Sequence, residues 1–458
     1  MLLADTIAAI ATGGGISAIG IVRISGDRAI AAADGLFRAV GGVKLADAED
    51  RRMYYGGLIG ADGALLDMCL CFISRGPNSY TGEDTAEFHC HGSPIVLSEV
   101  LRALFALGVR QAGPGEFTKR AFLNGRMDLT QAEAVIDLIE AETPTAARNA
   151  AGQLRGAVGA RLDAVYGALL DVMAHFHAVI DYPDEDIDDF ELQTYLSALQ
   201  CAKDDLSSML ATHERGRVLR EGIPAAIIGR PNTGKSSLLN ALLGYPRAIV
   251  TGAPGTTRDT IEEKMIVGGA ALRLTDTAGI RQAADEAEKL GVERTLDALR
   301  GAGLVILVLD GSVPLQDGDF DALRSIPPGL PSLIAVNKSD LPPAFGADEL
   351  GALKLAFCRI SALTGEGLDA LEDEIKKLLP DLPQQPDGGL ITNTRQYDSI
   401  LRARDSISLS IDAIKSAVTP DAVLTEIESA LAAIGETTGK TMREDITARI
   451  FERFCVGK

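Results

Sequence analysis

Eight residues, Gly229-Arg-Pro-Asn-Thr-Gly-Lys-Ser236, place two glycines, a lysine and a serine at the spacing G-x-x-x-x-G-K-[ST], which cradles phosphates. Gly229 and Gly234 allow the tight backbone bend that points successive N–H groups inward. The Lys235 ammonium can reach β- and γ-phosphates, and the Ser236 hydroxyl offers a ligand to Mg²⁺. Asn232 and Thr233 inside the loop, with Ser237 after it, complete the expected phosphate contacts.

Four further segments narrow the chemistry. Gly255-Thr-Thr-Arg-Asp259 stands where a switch segment belongs, with Thr257 as candidate Mg²⁺ ligand. In Asp276-Thr-Ala-Gly279, Asp276 can act through a Mg²⁺ water and the Gly279 N–H can report the γ-phosphate, with Thr277 and Ala278 between them. Asn337-Lys-Ser-Asp340 selects guanine, because the Asp340 carboxylate accepts two hydrogen bonds from N1–H and the exocyclic amine, with Lys338 beside it. Ser361-Ala-Leu363, which includes Ala362, fits the segment that meets the base from the other side. Five such segments in order predict a GTP-binding domain.

Hydrolysis needs an aimed water and positive charge. Apolar Ile280 follows Gly279, where Ras-like proteins carry a water-orienting glutamine. Glu288, in the polar stretch Arg281–Lys289, is a candidate for that task, and Lys235 and Thr257 complete the expected catalytic group. The Asn232 side-chain oxygen could hold a monovalent cation beside the phosphates. On spacing alone, a hydrogen bond within the loop is its plainer use.

The elements that must position these residues follow from pattern. Ala225–Ile228 reads as a buried strand and Ser236–Leu243 as a helix, which aims a helix N-terminus at an anion. Leu272–Thr275, Leu304–Leu309, Ser332–Val336 and Ala356–Ile360 read as strands, with a helix at Leu368–Leu379. This alternation predicts a doubly wound α/β domain over 216–380. Pro380–Gly389 is a linker by composition. Helical pattern flanks the α/β unit, over 119–215 with Gln131–Ala141 and Val158–Ile180, and over 381–458 with Thr392–Phe454. The doubly wound P-loop domain is therefore expected to be inserted in an all-α domain.

Residues 1–118 look α+β, with strands at Ala18–Ile24 and Met68–Ile73. Cys69 and Cys71 share one face of the second strand and read as packing. On a strand, His89 and His91 flank Cys90 on one face, with no third ligand nearby. His175 and His177, two apart on a helix, do not share a face. The acidic run Asp181–Asp189, interrupted by Pro183, reads as a solvated loop.

Length and composition bound the rest. A chain of 458 residues suggests about three domains. A net charge of −20 argues against a general polyanion binder. Six cysteines without a CxxC pair predict reduced thiols. The N-terminus lacks a basic signal-peptide region, and no apolar run approaches the ~20 residues that span a membrane. A soluble, cytoplasmic protein is expected.

Five stretches go beyond any GTP site: Gly20-Ile-Val-Arg-Ile-Ser-Gly26, Pro77-Asn-Ser-Tyr-Thr-Gly-Glu-Asp84, Pro114-Gly-Glu-Phe-Thr-Lys-Arg-Ala-Phe-Leu-Asn124, Asp181-Tyr-Pro-Asp-Glu185 and the tail Phe454-Cys-Val-Gly-Lys458. With them the chain resembles the MnmE (TrmE) family of tRNA-modification GTPases over essentially its whole length. The resemblance implies that residues 1–118 form a homodimer and bind 5-formyl- or methylene-tetrahydrofolate, with Arg23, Glu87, Arg126 and Lys458 at the matching positions. Arg126 stands where the family commonly has lysine, and a guanidinium is planar and wider. Without the resemblance, a strand ion pair for Arg23 and Glu87 and a solvated Lys458 are the plainer uses. The resemblance also implies activation by K⁺, held by the Asn232 side chain and the backbones of Thr251, Ala253 and Thr256, with Glu288 positioning the water. It implies a partner, an MnmG-type FAD protein in a heterotetramer. The pair would place a carboxymethylaminomethyl or aminomethyl group on carbon 5 of the tRNA wobble uridine. Cys455 lies beside Lys458, but a lone cysteine near a chain end is more simply tolerated there. The alternative is an Era-like RNA-binding switch in ribosome assembly, which shares the Asn-bearing loop but not the N-terminal domain or the tail.

Overall fold

In the first of two sheets, side chains alternate between a packed face and a polar one. The computed structural model describes residues 5–181, 189–244, 263–274, 299–383, 386–441, 450–451 and 454–457. The chain divides into two compact units: Met1–Ile136 with Gln153–Ala202 and Arg402–Lys458, and Asp137–Gly152 with Lys203–Leu401.

The first unit holds a seven-stranded sheet of β1 (Ile7–Ile10), β2 (Ser17–Ser25), β3 (Phe37–Ala39), β4 (Tyr54–Ile59), β5 (Leu65–Ser74), β6 (Thr85–Gly92) and β7 (Arg110–Gln111), ordered β3-β4-β5-β6-β2-β1-β7. All pairs are antiparallel except β1 with β7. β2 and β5 contain the expected strands and extend them at both ends. Val22, Ile24, Cys69, Cys71, Phe88 and Cys90 pack under the helices Ala29–Leu36 and Pro94–Ala106. The period of two sends Arg23, Glu87, His89 and His91 to the other face. There His89 Nε2 lies 3.3 Å from Glu87 Oε2, and His91 Nδ1 lies 2.8 Å from Asp67 Oδ1. Among the described residues no group of three or more His, Cys, Asp or Glu is placed to hold a metal ion.

The same unit contains long helices. Ala157–Asp181 packs along Pro420–Thr438. His175 stacks on Tyr195 at 4.2 Å between ring centroids, while His177 is exposed. Residues 182–188 of the acidic run lie outside the described residues. No helix among the described residues is long and apolar enough to cross a membrane.

The second unit contains the six strands β8 (Ile223–Ile228), β9 (Glu263–Val267), β10 (Ala270–Leu274), β11 (Leu304–Asp310), β12 (Ser332–Asn337) and β13 (Ala356–Arg359), ordered β13-β12-β11-β8-β10-β9. Only β9 runs antiparallel. Residues Leu304–Leu309 are all buried, because helices cover both faces. Lys235–Leu243 and Leu368–Leu378 pack on one face, and Asp317–Arg324 with Ala347–Gly351 on the other. The chain order reverses beside β8, so a crevice forms at the carboxyl ends of β8 and β11. β9, absent from the sequence expectations, joins β10 through Gly268-Gly269, both with positive φ, a two-residue hairpin turn.

The segment after the linker is anchored. Leu390, Ile391 and Thr392 are buried, and the Ile391 N–H donates to Thr212 Oγ1 at 3.0 Å. It presses on the helix His213–Glu221 at Gly216, where a Cβ would lie 2.2 Å from the Ile391 carbonyl oxygen. Alanine in a free helix is favoured over glycine by about 1 kcal/mol. Here Gly216→Ala is expected to destabilise by about 1–3 kcal/mol, the cost of overpacking. A lowered thermal midpoint checks this, and a raised one would refute the close approach.

Candidate functional site

The loop between β8 and the helix Lys235–Leu243 bends through three positive-φ residues: Gly229 (+143°), Asn232 (+63°) and Gly234 (+93°). A Cβ on Gly229 would sit 2.4 Å from the Val308 carbonyl oxygen, and one on Gly234 would sit 2.1 Å from Asn337 Nδ2. Both glycines are therefore required by neighbours as well as by φ. The Lys235 ammonium donates to the carbonyls of Gly229 (2.8 Å) and Arg230 (2.6 Å). Thr233 is buried and its hydroxyl donates to the Arg230 carbonyl at 3.0 Å. The loop-internal hydrogen bond that spacing alone allots to Asn232 thus belongs to Thr233. Asn232 is exposed. Ser236 is half-buried in the first helical turn and Ser237 is exposed beside it.

The base-recognition segments meet the loop through Asn337, at the end of β12. Its Nδ2 donates to the Thr233 carbonyl at 2.9 Å, and its Oδ1 accepts from the Ala362 N–H at 2.9 Å. Ser361, fully buried, donates from Oγ to Asp340 Oδ1 at 2.6 Å. Leu363 is exposed. Lys338 has φ +67° and its ammonium lies 2.5 Å from Asp310 Oδ2. Burial raises the Asp310 carboxyl, but Lys338 and Ser312 outweigh it and hold the group below the usual carboxylate range.

A second cluster stands on the polar face of the first sheet. Arg23 and Glu87 are direct neighbours across β2 and β6, and Arg23 Nε donates to Glu87 Oε1 at 2.6 Å. The guanidinium lies 5.4 Å from the Tyr80 ring centroid and 5.7 Å from that of Phe117. Arg126 is exposed on the turn after the helix Glu116–Leu123, with its stem against Gly82, whose Cβ would meet Arg126 Cγ at 3.4 Å.

The family model for the MnmE helical domain matches residues 129–455, and that for the GTP-binding protein TrmE N-terminus matches residues 6–126. The tRNA modification GTPase MnmE of Roseiflexus sp. (strain RS-1) is 42% identical over 468 residues, covering 100% of each chain. The chain belongs to the MnmE family. The protein of the same name from Natranaerobius thermophilus is 40% identical over 458 residues, 99% of each chain. Among solved structures, Era from Aquifex aeolicus bound to GDP·AlF4⁻ is 30% identical over 41% of this chain and 67% of that one, with a TM-score of 0.27.

As an MnmE family member the chain is a GTP hydrolase. The Era-like alternative is not favoured, since MnmE-family matches extend across both regions flanking the phosphate loop. Thr251, Ala253, Thr256, Thr257, Asp276, Thr277, Ala278, Gly279, Glu288 and Lys458 lie outside the described residues. Several site residues escaped the sequence expectations. Asp310 stands opposite Asn337 in register, so a terminal acid on β11 was the available signal. Arg230 reaches Asp319, a partner 89 positions away that no local spacing announces. Tyr80 and Phe117 sit inside the quoted family stretches, but only the fold brings both to Arg23.

Burial, and after it the neighbouring Arg230 guanidinium, lowers the Lys235 ammonium to about 8. Phosphates favour the charged form, so binding nucleotide raises this value again. GTP affinity should therefore be full below pH 8 and fall as pH rises through it, by up to about tenfold per unit. An ordinary lysine would hold to about 10.4. Titration of GTP binding from pH 7 to 9 checks this, and a flat profile would contradict it.

Proposed function

We propose that this chain is a K⁺-stimulated GTPase that modifies tRNA. With an MnmG-type FAD protein it adds a carboxymethylaminomethyl or aminomethyl group to carbon 5 of the wobble uridine. A tetrahydrofolate carrier, 5-formyl or methylene, supplies the one-carbon unit. The chain acts as a homodimer through its N-terminal domain and as a heterotetramer with the partner.

Support comes first from the C-terminal tail. Val456 pairs with Pro114, and the Gly115 N–H donates to the Cys455 carbonyl at 3.2 Å. Gly457 has φ +102°, and a Cβ there would lie 2.1 Å from the Ile10 carbonyl oxygen. Ala9, the residue before Ile10, stands opposite Arg23 in the sheet. The tail up to Gly457 therefore lies against Ile10, one residue from the strand partner of Arg23, which supports the reading of Lys458 as a folate contact. A merely solvated tail would need neither the bridge to Pro114 nor the close approach at Gly457. Arg23 and Arg126 offer cationic groups to carboxylates of the carrier, and Glu87 offers acceptors to its ring N–H groups. Tyr80 and Phe117 supply aromatic surface beside Arg23.

In the nucleotide site the loop amides and Lys235 bind the phosphates, and Ser236, Thr257 and Asp276 would hold Mg²⁺ directly or through water. Asn232, exposed and set by its positive φ, is free to turn its side-chain oxygen toward a cation next to the loop. Held by Asn232, K⁺ would supply positive charge to the transition state, which the apolar Ile280 position cannot assist.

Turnover of GTP should be faster in K⁺ than in Na⁺ at equal ionic strength, on the order of a hundredfold, the scale of one preorganised electrostatic group. Equal rates in the two salts would remove the cation from the mechanism. Cells lacking this chain should carry unmodified wobble uridines by mass spectrometry. Complementation with a chain ending at Val456 should not restore them, although that chain keeps its K⁺-stimulated GTPase activity. Restored modification would exclude Lys458 from the site.

A further inference from the structure

Arg230 occupies the first variable position of the phosphate loop, yet its side chain runs to a different element. Its Nε donates to Asp319 Oδ1 at 2.7 Å, and its Nη1 donates to Gln316 Oε1 at 2.6 Å. Both partners belong to the start of the helix Asp317–Arg324, where Gln316 is the N-cap. Asp319 is 5% exposed, and its other oxygen accepts the Gln316 backbone N–H at 3.0 Å. The carboxylate thus closes the helix cap with one oxygen and holds the loop arginine with the other. Gly318 makes room for this arrangement. A Cβ there would lie 2.8 Å from Arg230 Cδ and 3.1 Å from Cγ.

The backbone of the same arginine carries the active part of the loop. Its carbonyl is the shared acceptor of the Lys235 ammonium (2.6 Å) and the Thr233 hydroxyl (3.0 Å). Two residues later comes Asn232. The first half of the loop is held from inside by the Lys235 bonds to Gly229 and Arg230 and from outside by this mooring. The direction of the Arg230 carbonyl, and with it the aim of Lys235, depends on where the guanidinium is moored.

We propose that Arg230 is a positioning residue for GTP binding and hydrolysis, moored by Asp319 and Gln316 so that the phosphate loop presents Lys235 correctly. The inference rests on the loop being the nucleotide grip, not on the K⁺ requirement. Its test therefore reads nucleotide affinity in a fixed salt.

The decisive variant is Asp319→Asn. Its amide can still accept the Gln316 N–H and so keep the helix cap, but it presents no charge to Arg230. If the pair acted only by charge, removing a negative group near the triphosphate would tighten GTP binding. Mooring requires the opposite sign: Kd for a fluorescent GTP analogue should rise on the order of ten- to a hundredfold, the cost of a misplaced binding group. The thermal midpoint should move by only a few degrees. Tighter or unchanged binding overturns the proposal, and so does a loss of stability with unchanged Kd. Arg230→Ala should weaken binding as well, and the double variant should be no worse than the worse single one. Additive losses would mean that Arg230 acts on the nucleotide independently of Asp319. Should Asp319→Asn not fold, Gln316→Ala removes one mooring bond without changing any charge. It should raise Kd measurably, and an unchanged value overturns the proposal.

Discussion

The carboxamide of Asn337 is the constraint on which the nucleotide site depends. One buried side chain donates to the phosphate loop at Thr233 and accepts from the base-side loop at Ala362. Its two ends are chemically different, so the pairing works in one orientation only. Replacing it with aspartate would oppose an anion to the Thr233 carbonyl, and replacing it with leucine would leave a buried carbonyl and a buried N–H unpaired, at about 1–3 kcal/mol each. The closeness also dictates Gly234, because no side chain fits 2.1 Å from Asn337 Nδ2. The glycine of the phosphate motif and the asparagine of the guanine motif, more than a hundred residues apart, are one steric unit.

The first unit is organised around a charge instead. Arg120 is fully buried and donates to the Asp5 backbone carbonyl and to the carboxylates of Asp5, Glu83 and Glu116. Removing Arg120 would leave the largely buried carboxylates of Glu83 and Glu116 short of a cation, at a cost of about 3–5 kcal/mol. From Glu83 the network runs to Ser25 on β2, and Ser25 also bonds Thr81 at 2.7 Å. Asn124 then holds the Thr81 carbonyl at 2.7 Å. The stretches Gly20–Gly26, Pro77–Asp84 and Pro114–Asn124 look unrelated along the chain but share this single set of bonds. Arg23, Tyr80 and Arg126 are presented by its rim.

What was legible in the sequence divides along the same physical line. Local spacing revealed the phosphate loop, the guanine motif and the strands β8, β11 and β12, whose unbroken apolar runs follow from burial on both faces. The edge strand β9 has no such run, since Glu263 and Lys264 open it, and it was missed despite the Gly268-Gly269 turn. The Arg23–Glu87 partnership was legible as the plainer use of two strand residues, and most others were not. Arg230 with Asp319, Lys338 with Asp310, and Arg120 with Asp5 and Glu83 join residues whose separations obey no period. Such pairs are set by topology, which brings the ends of non-adjacent segments together. Asn232 is the instructive middle case. Spacing favoured an internal hydrogen bond for it, whereas the fold gives that bond to Thr233 and leaves Asn232 facing outward.

That division has a functional consequence. A phosphate loop that needs only to hold GTP could close on itself, with each polar side chain bonded internally. Here Thr233 and Lys235 are bonded inward, Arg230 is bonded to the start of the helix Asp317–Arg324, and Asn232 is exposed with a left-handed backbone. Asparagine is among the few non-glycine residues that visit that region readily. Asn232 is the exposed residue of the loop whose side chain carries a carbonyl oxygen. In a site with isoleucine where a water-orienting glutamine would stand, the proposed K⁺ dependence would have the outward asparagine recruit a second component of the hydrolytic machinery from solution. Under that proposal binding would proceed before hydrolysis is enabled, which is the property required of a GTPase whose chemistry must wait for another event.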